Sequence, residues 1–168
     1  MNRKLPYLFL AFTVVVLDQW TKWLVEVHLP RGAAQPVIDG FLNLVHVRNT
    51  GVAFGLFATP GGSTSWALTL LGLVALAAVG LYFRFTPHHD RLLLTALGLV
   101  AGGAVGNLLD RVMAGAVTDF VDVYVGSYHW PAFNVADSAI TVGITLMVLD
   151  VFRRRHPESA EAGAAVEA

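Results

Sequence analysis

Four long apolar stretches leave this chain few folds to choose from. They run from Leu5 to Val27, Ser65 to Phe83, Leu92 to Leu109 and Val135 to Phe152. Each is close to the roughly 20 residues a helix needs to cross a bilayer. The composition agrees. Of 168 residues, 55% are hydrophobic and 14% charged, and the mean hydropathy is +0.61; a soluble domain carries about 25% charged residues. The reading is therefore a membrane α-helical fold with four transmembrane helices. The net charge of −1 gives no reason to expect nucleic acid as a partner. Cysteine is absent, which excludes a thiol nucleophile, disulfides and thiolate metal sites.

Arg3 and Lys4 followed by Leu5–Leu17 imitate a secretory signal peptide. Asp18 and Lys22 interrupt the would-be cleavage region, no A-x-A-like site follows, and apolar character resumes to Val27. The stretch reads as an uncleaved first span that carries polar groups for a purpose. Basic residues set the orientation. Arg3, Lys4, Arg84, Arg91, Arg153, Arg154 and Arg155 fall on one side; Arg31, Arg48 and Arg111 fall on the other. Both termini are expected in the cytoplasm.

On that topology the unusual polar residues gather in one layer at the outer boundary. Asp18 and Lys22 lie near the outer end of span one, and Asn107, Asp110 and Arg111 near that of span three. Asp119 and Asp122 follow in the next loop, and Asn134 and Asp137 open span four. Helix caps alone would also attract polar residues to such ends. Asp18 and Lys22, however, sit a turn or more inside span one, where an ionisable group is costly and usually functional.

The loop from His28 to Thr64 is too long for a simple connection. FLNLVHV and VAFGLF read as short strands around the turn Asn49-Thr50-Gly51. They predict a small sheet on the outer membrane surface, at about residues 36–58. Residues 1–155 read as one integral-membrane domain, and 156–168, rich in Ala and Glu, as a disordered cytoplasmic tail.

Asp119 and Asp137 are the candidate catalytic pair. Two facing carboxylates cannot both ionise comfortably and share a proton, so one activates water while the other protonates the substrate carbonyl oxygen or leaving amine. The proton belongs to the pair. On spacing alone the two read equally as a loop aspartate and a helix cap. Asn107, Asp110 and Arg111 share a helix face at i, i+3 and i+4. They form either a snorkelling end or a polar shelf, with Arg111 held by Asp110 or Asp122, and with Asn107 and Asn134 donating to substrate or to the carboxylates. Asp18 and Lys22 form an i,i+4 pair that is either structural or functional, and Asn49 with Gly51 can be a simple turn. Gly98, Gly102 and Gly106 are spaced for close helix packing. None of the six histidines shows metal-ligand spacing, and none is placed to make a triad with Ser138. No metal and no cofactor is expected.

At these residues the sequence resembles lipoprotein signal peptidase (signal peptidase II), a bacterial intramembrane aspartyl protease family. The likeness rests on DQWTK at Asp18–Lys22, NTGVAFG at Asn49–Gly55, GNLLDR at Gly106–Arg111, VTDF at Val117–Phe120 and FNVADS at Phe133–Ser138. All five occur in order and span nearly the whole chain to about Arg155. The resemblance implies cleavage of diacylglyceryl-modified prolipoproteins just before the lipidated cysteine, at the outer face of the bacterial cytoplasmic (inner) membrane. It also implies a periplasmic β-cradle with a periplasmic loop or helix. The family's dyad matches Asp119 and Asp137. Its supporting residues match Asp18, Lys22, Asn49, Gly51, Asn107, Asp110, Arg111, Asn134 and Ala136. Val52 and Gly55 stand where the family often has alanine and serine, a departure that touches loop detail. The enzyme is expected to act as a monomer among membrane lipid, and the loop from Val112 to Tyr128, with Gly115 and Gly126, to close over the site. The alternatives are a small proton-coupled transporter, since intramembrane carboxylates also mark ion pathways, and an assembly scaffold. Span two supplies no polar residues across the midplane and no inverted repeat is visible, both against a transporter.

Overall fold

The computed structural model describes residues 3–51 and 66–155. In chain order the elements are α1 (Leu5–His28), β1 (Ala34–Ile38), β2 (Leu42–Asn49), α2 (Trp66–Phe85), α3 (Arg91–Ala114), β3 (Val117–Val125), β4 (Tyr128–His129) and α4 (Val135–Arg155). All four helices are long and apolar enough to cross a membrane. Their outer faces are bare hydrocarbon: Leu70, Leu71 and Val74 on α2, like Phe9 and Phe12 on α1, are exposed. Such faces would aggregate in water and are ordinary in lipid.

α3 is the central helix, packed on α1, α2 and α4. Its glycines allow this. A methyl group at Gly98 would stand 2.8 Å from the Tyr7 carbonyl oxygen, and one at Gly102 2.7 Å from that of Ala11. The backbones of α1 and α3 thus touch where any side chain would hold them apart. At its far end α3 continues beyond the expected stop at Leu109, carrying Asp110 and Arg111 within the helix, and ends on Gly115, whose φ of 69° is the left-handed cap.

The sheet differs from the expectation in its membership. The stretch FLNLVHV does form β2, but β2 pairs on one side with β1 and on the other with β3, which comes from the segment expected to be a closing loop. All pairings are antiparallel, in the order β1-β2-β3-β4. β3 is therefore an interior strand, not a lid. VAFGLF lies outside the described residues, as do the start of span two at Ser65 and the tail 156–168. Among the described residues no helix beyond the four occurs. Phe120 and Leu44 of the sheet pack on Val25 and Leu29 at the end of α1, which seats the sheet against the bundle.

Candidate active site

The site begins with Lys22, which is 3% exposed and would be untenable alone. Its ammonium meets three acceptors: Asp18 Oδ2 at 2.8 Å, Asp110 Oδ2 at 2.7 Å and Asn107 Oδ1 at 3.0 Å. Three donors meet three acceptors, so Lys22 holds α1 to α3 and is not available as a base. Asp18 is fully buried, and its second oxygen accepts the Ala136 N–H at 2.9 Å. That N–H is one of the orphan donors in the first turn of α4, where a carboxylate is favoured. Ala136 therefore contributes its backbone, and its small side chain lies close to Gly106; a methyl at Gly106 would come within 2.5 Å of Asp18 Oδ2.

Asn134 is fully buried and links the two candidate catalytic acids. Its Oδ1 accepts the Asp137 N–H at 2.9 Å, while the Asp137 carboxylate accepts the Asn134 N–H at 3.3 Å. This reciprocal exchange is a capping box at the start of α4. The cap reading and the functional reading of Asp137 thus describe the same geometry, with Asn134 as the cap residue. Because Oδ1 is committed to the cap, the amide nitrogen of Asn134 points at Asp119 and donates to its Oδ1 at 2.8 Å. Asn107 does the same from α3: its Oδ1 takes Lys22, and its nitrogen donates to Asp137 Oδ1 at 2.8 Å. Asn49, at the end of β2, donates to Asp119 Oδ2 at 2.9 Å, and its own oxygen accepts the Gly51 N–H at 3.0 Å.

Burial pushes the Asp119 carboxyl up to about 7, and the charge of Asp137 adds to the effect. Hydrogen bonds from Asn49 and Asn134 and the charge of Lys22 oppose it. Both aspartates open onto a cavity of about 610 Å³. Asn49, Asn107 and Arg111 line its polar end; Val117, Trp130, Pro131, Phe133 and Val142 line its apolar wall. Arg111 is half-buried there. It donates to the Asn107 carbonyl oxygen at 3.3 Å, and its buried Nε has no partner.

The expected partners of Arg111 are a correction. Asp110 is occupied by Lys22 and by Gln19, whose amide donates to Asp110 Oδ1 at 2.8 Å. Asp122 is not in this layer at all. It is three residues from Asp119 on the same strand, and alternation turns the two to opposite faces. Sequence reasoning placed Gln19 beside Asp18 and Lys22 without giving it a role, and it passed over Glu26. Glu26 accepts the Thr118 hydroxyl at 2.6 Å and ties α1 to β3. The signal was present: Asp18, Lys22 and Glu26 are spaced by four along one helix face.

The comparisons with known proteins agree with one another. A family model described as signal peptidase (SPase) II matches residues 10–153. A lipoprotein signal peptidase of Geobacillus kaustophilus is 42% identical over 92% of this chain and 97% of its own. One of Cupriavidus taiwanensis is 51% identical over 89% and 85%. A solved chain described as a bacterial membrane enzyme superposes with a TM-score of 0.81 at 29% identity, covering 91% of each.

Proposed function

We propose a mechanism on one premise: the chain belongs to the signal peptidase II family, is a bacterial membrane protease, and removes signal peptides from prolipoproteins. In our reading Asp119 and Asp137 are its catalytic acids, and the bond cut lies just before a diacylglyceryl-modified cysteine. The observation that carries this is the bridge through Asn134, which brings a strand aspartate and a helix aspartate to the mouth of one cavity.

The dyad begins with one shared proton, for which a carboxyl pushed up to about 7 is suited at neutral pH. The ionised carboxylate takes a proton from water as its oxygen attacks the peptide carbonyl carbon. The protonated one gives its proton to the carbonyl oxygen, leaving a neutral tetrahedral adduct. The adduct collapses as its C–N bond breaks: the amine nitrogen takes the dyad's proton while a hydroxyl of the adduct gives its own to the other carboxylate, forming the new carboxyl group and leaving the pair with one proton again. Arg111 offers positive charge at the cavity wall for the substrate backbone. Asn49 with Gly51, and Asn107, Asn134, Asp18, Ala136, Lys22 and Asp110, hold the acids in place.

The apolar wall suits a lipidated peptide whose acyl chains stay in the bilayer. The excess of basic residues at the chain ends and the α2–α3 turn supports cytoplasmic termini, with the dyad and the sheet near the periplasmic face. A proton-coupled transporter finds no support. Its pathway would cross the bundle, whereas α2, among the described residues, buries only Leu68 and Thr69.

The test is cleavage of a diacylglyceryl-modified prolipoprotein peptide by purified protein in detergent. Wild type should cut before the lipidated cysteine. Asp119→Asn and Asp137→Asn should each lose about 10³-fold in rate while keeping the wild-type unfolding midpoint. A folded variant with near-normal activity would remove that aspartate from the dyad.

A further inference from the structure

Asp122 is buried, 8% exposed, yet faces away from the dyad. Its carboxylate accepts Asn43 Nδ2 at 2.9 Å, and its two oxygens lie 2.9 and 3.0 Å from His129 Nδ1. The His129 ring stacks on Tyr124 with centroids 4.9 Å apart and 8° between planes. The Tyr124 hydroxyl in turn accepts the Gly40 N–H at 2.9 Å. The β1–β2 turn, β2, β3 and β4 thus converge on one imidazole.

Immediately after His129 the chain becomes the wall of the cavity. Trp130, Pro131, Ala132 and Phe133 all line it, and the next residue is Asn134, the link between the acids. This strap has two fixed ends. At one, Phe133 exchanges backbone bonds with Val121, at 2.9 and 3.1 Å. At the other, Trp130 N–H donates to the Val123 carbonyl oxygen at 2.8 Å, beside the His129–Asp122 pair. Pro131 between them has no N–H to give.

We propose that Asp122 and His129 are positioning residues for the peptidase reaction: their hydrogen-bonded pair sets where the Trp130–Phe133 strap stands against the cavity, and so how tightly substrate is held across the dyad. This rests on the cavity being the substrate site. Asn43 and Tyr124 anchor the pair on the sheet. Without it the strap pivots on Phe133, widening the cavity while Asp119 and Asp137 keep their partners Asn49 on β2, Asn107 on α3 and Asn134 at the cap of α4. The cost falls on binding more than on the chemical step, which is a rise in KM with kcat retained. A pair that merely stabilised the β3–β4 turn would lower the unfolding midpoint and leave KM alone.

Four variants test this: His129→Ala, Asp122→Ala, both together, and His129→Asn, whose amide nitrogen reaches the position of Nδ1. Each is assayed on the lipidated peptide. The absence of cysteine allows a second readout that does not need catalysis. Ala132→Cys is introduced into each background, and its rate of reaction with a maleimide is measured. The expected result is a KM raised about tenfold in either alanine variant, the size of one lost hydrogen bond to a charged group. The double variant should be no worse than the single ones, labelling at position 132 should be faster in all three, and His129→Asn should restore both. An unchanged labelling rate overturns the proposal, as does an unchanged KM alongside faster labelling. A wild type that cuts no lipidated peptide refutes the cleavage reading instead, and labelling still decides whether the pair holds the strap.

Discussion

The two ends of the helix bundle use the same kinds of side chain and obtain different things from them. At the end away from the dyad, Lys4 donates to the Phe83 and Arg84 carbonyl oxygens at 2.7 and 2.8 Å, closing the last turn of α2. Arg154 bridges Asp150 at 2.7 Å and Asp90 at 3.1 Å, with half of its side chain in the open. These are cations on helix C-termini and ion pairs whose cationic half stays in the open, favourable but partly screened by water. At the other end Asp18, Lys22, Asn134 and Asp119 are all at most 3% exposed. Each polar side-chain atom of these four is committed to a particular partner, because an uncommitted one would be left without water. Proximity of charge makes a clasp; exclusion of water turns the clasp into a tuned site.

The largest effect is expected from removing one cation at each end. Lys22→Met leaves Asp18 and Asp110 buried without their shared partner, and should destabilise by about 3–5 kcal/mol and abolish cleavage. Arg154→Ala should move the unfolding midpoint far less and leave cleavage intact. Equal losses in a denaturation series would mean that burial does not distinguish the ends. Next in size is Gly106→Ala, whose methyl has no room beside Asp18 and should destabilise by about 1–3 kcal/mol. Gly80→Ala, with nothing within 4 Å of its new methyl, should cost neither stability nor activity.

The smallest effect is a matter of pH. The Asp119 carboxyl lies at about 7 in the folded protein, against an ordinary value near 3.9. The folded state therefore binds this proton more tightly than the unfolded one. The resulting stability is complete below about pH 4 and is lost as pH rises through about 7. The Asn49 hydrogen bond favours the ionised form, so Asn49→Ala should move the alkaline limb of the kcat/KM profile to higher pH. A shift to lower pH would show that Asn49 does not stabilise the carboxylate.

The helices were legible because hydrocarbon length is a sequence property, and the outer polar layer because charge inside an apolar run is conspicuous. β3 was not legible. Val117–Phe120 is buried at every residue, so VTDFVDVYV lacks the alternation that marks a half-buried strand. Missing that strand also hid the opposite facing of Asp119 and Asp122. The pairing of β2 adds a register shift between Leu44 and Val47, which no local pattern announces. Asn134 was readable as a polar residue before a span, but its role as bridge required knowing that its oxygen is spent on the cap.

The bond from Ala136 to Asp18 joins residues 118 positions apart, near the two ends of the chain. Translation delivers α1 first and α4 last. Until α4 has entered the bilayer, Asp18 lacks its backbone donor and Asp119 lacks both Asn134 and Asp137. On the proposed dyad, a growing chain therefore carries no hydrolytic centre before α4 is in place. The proposed activity arrives with α4, the last of the described helices.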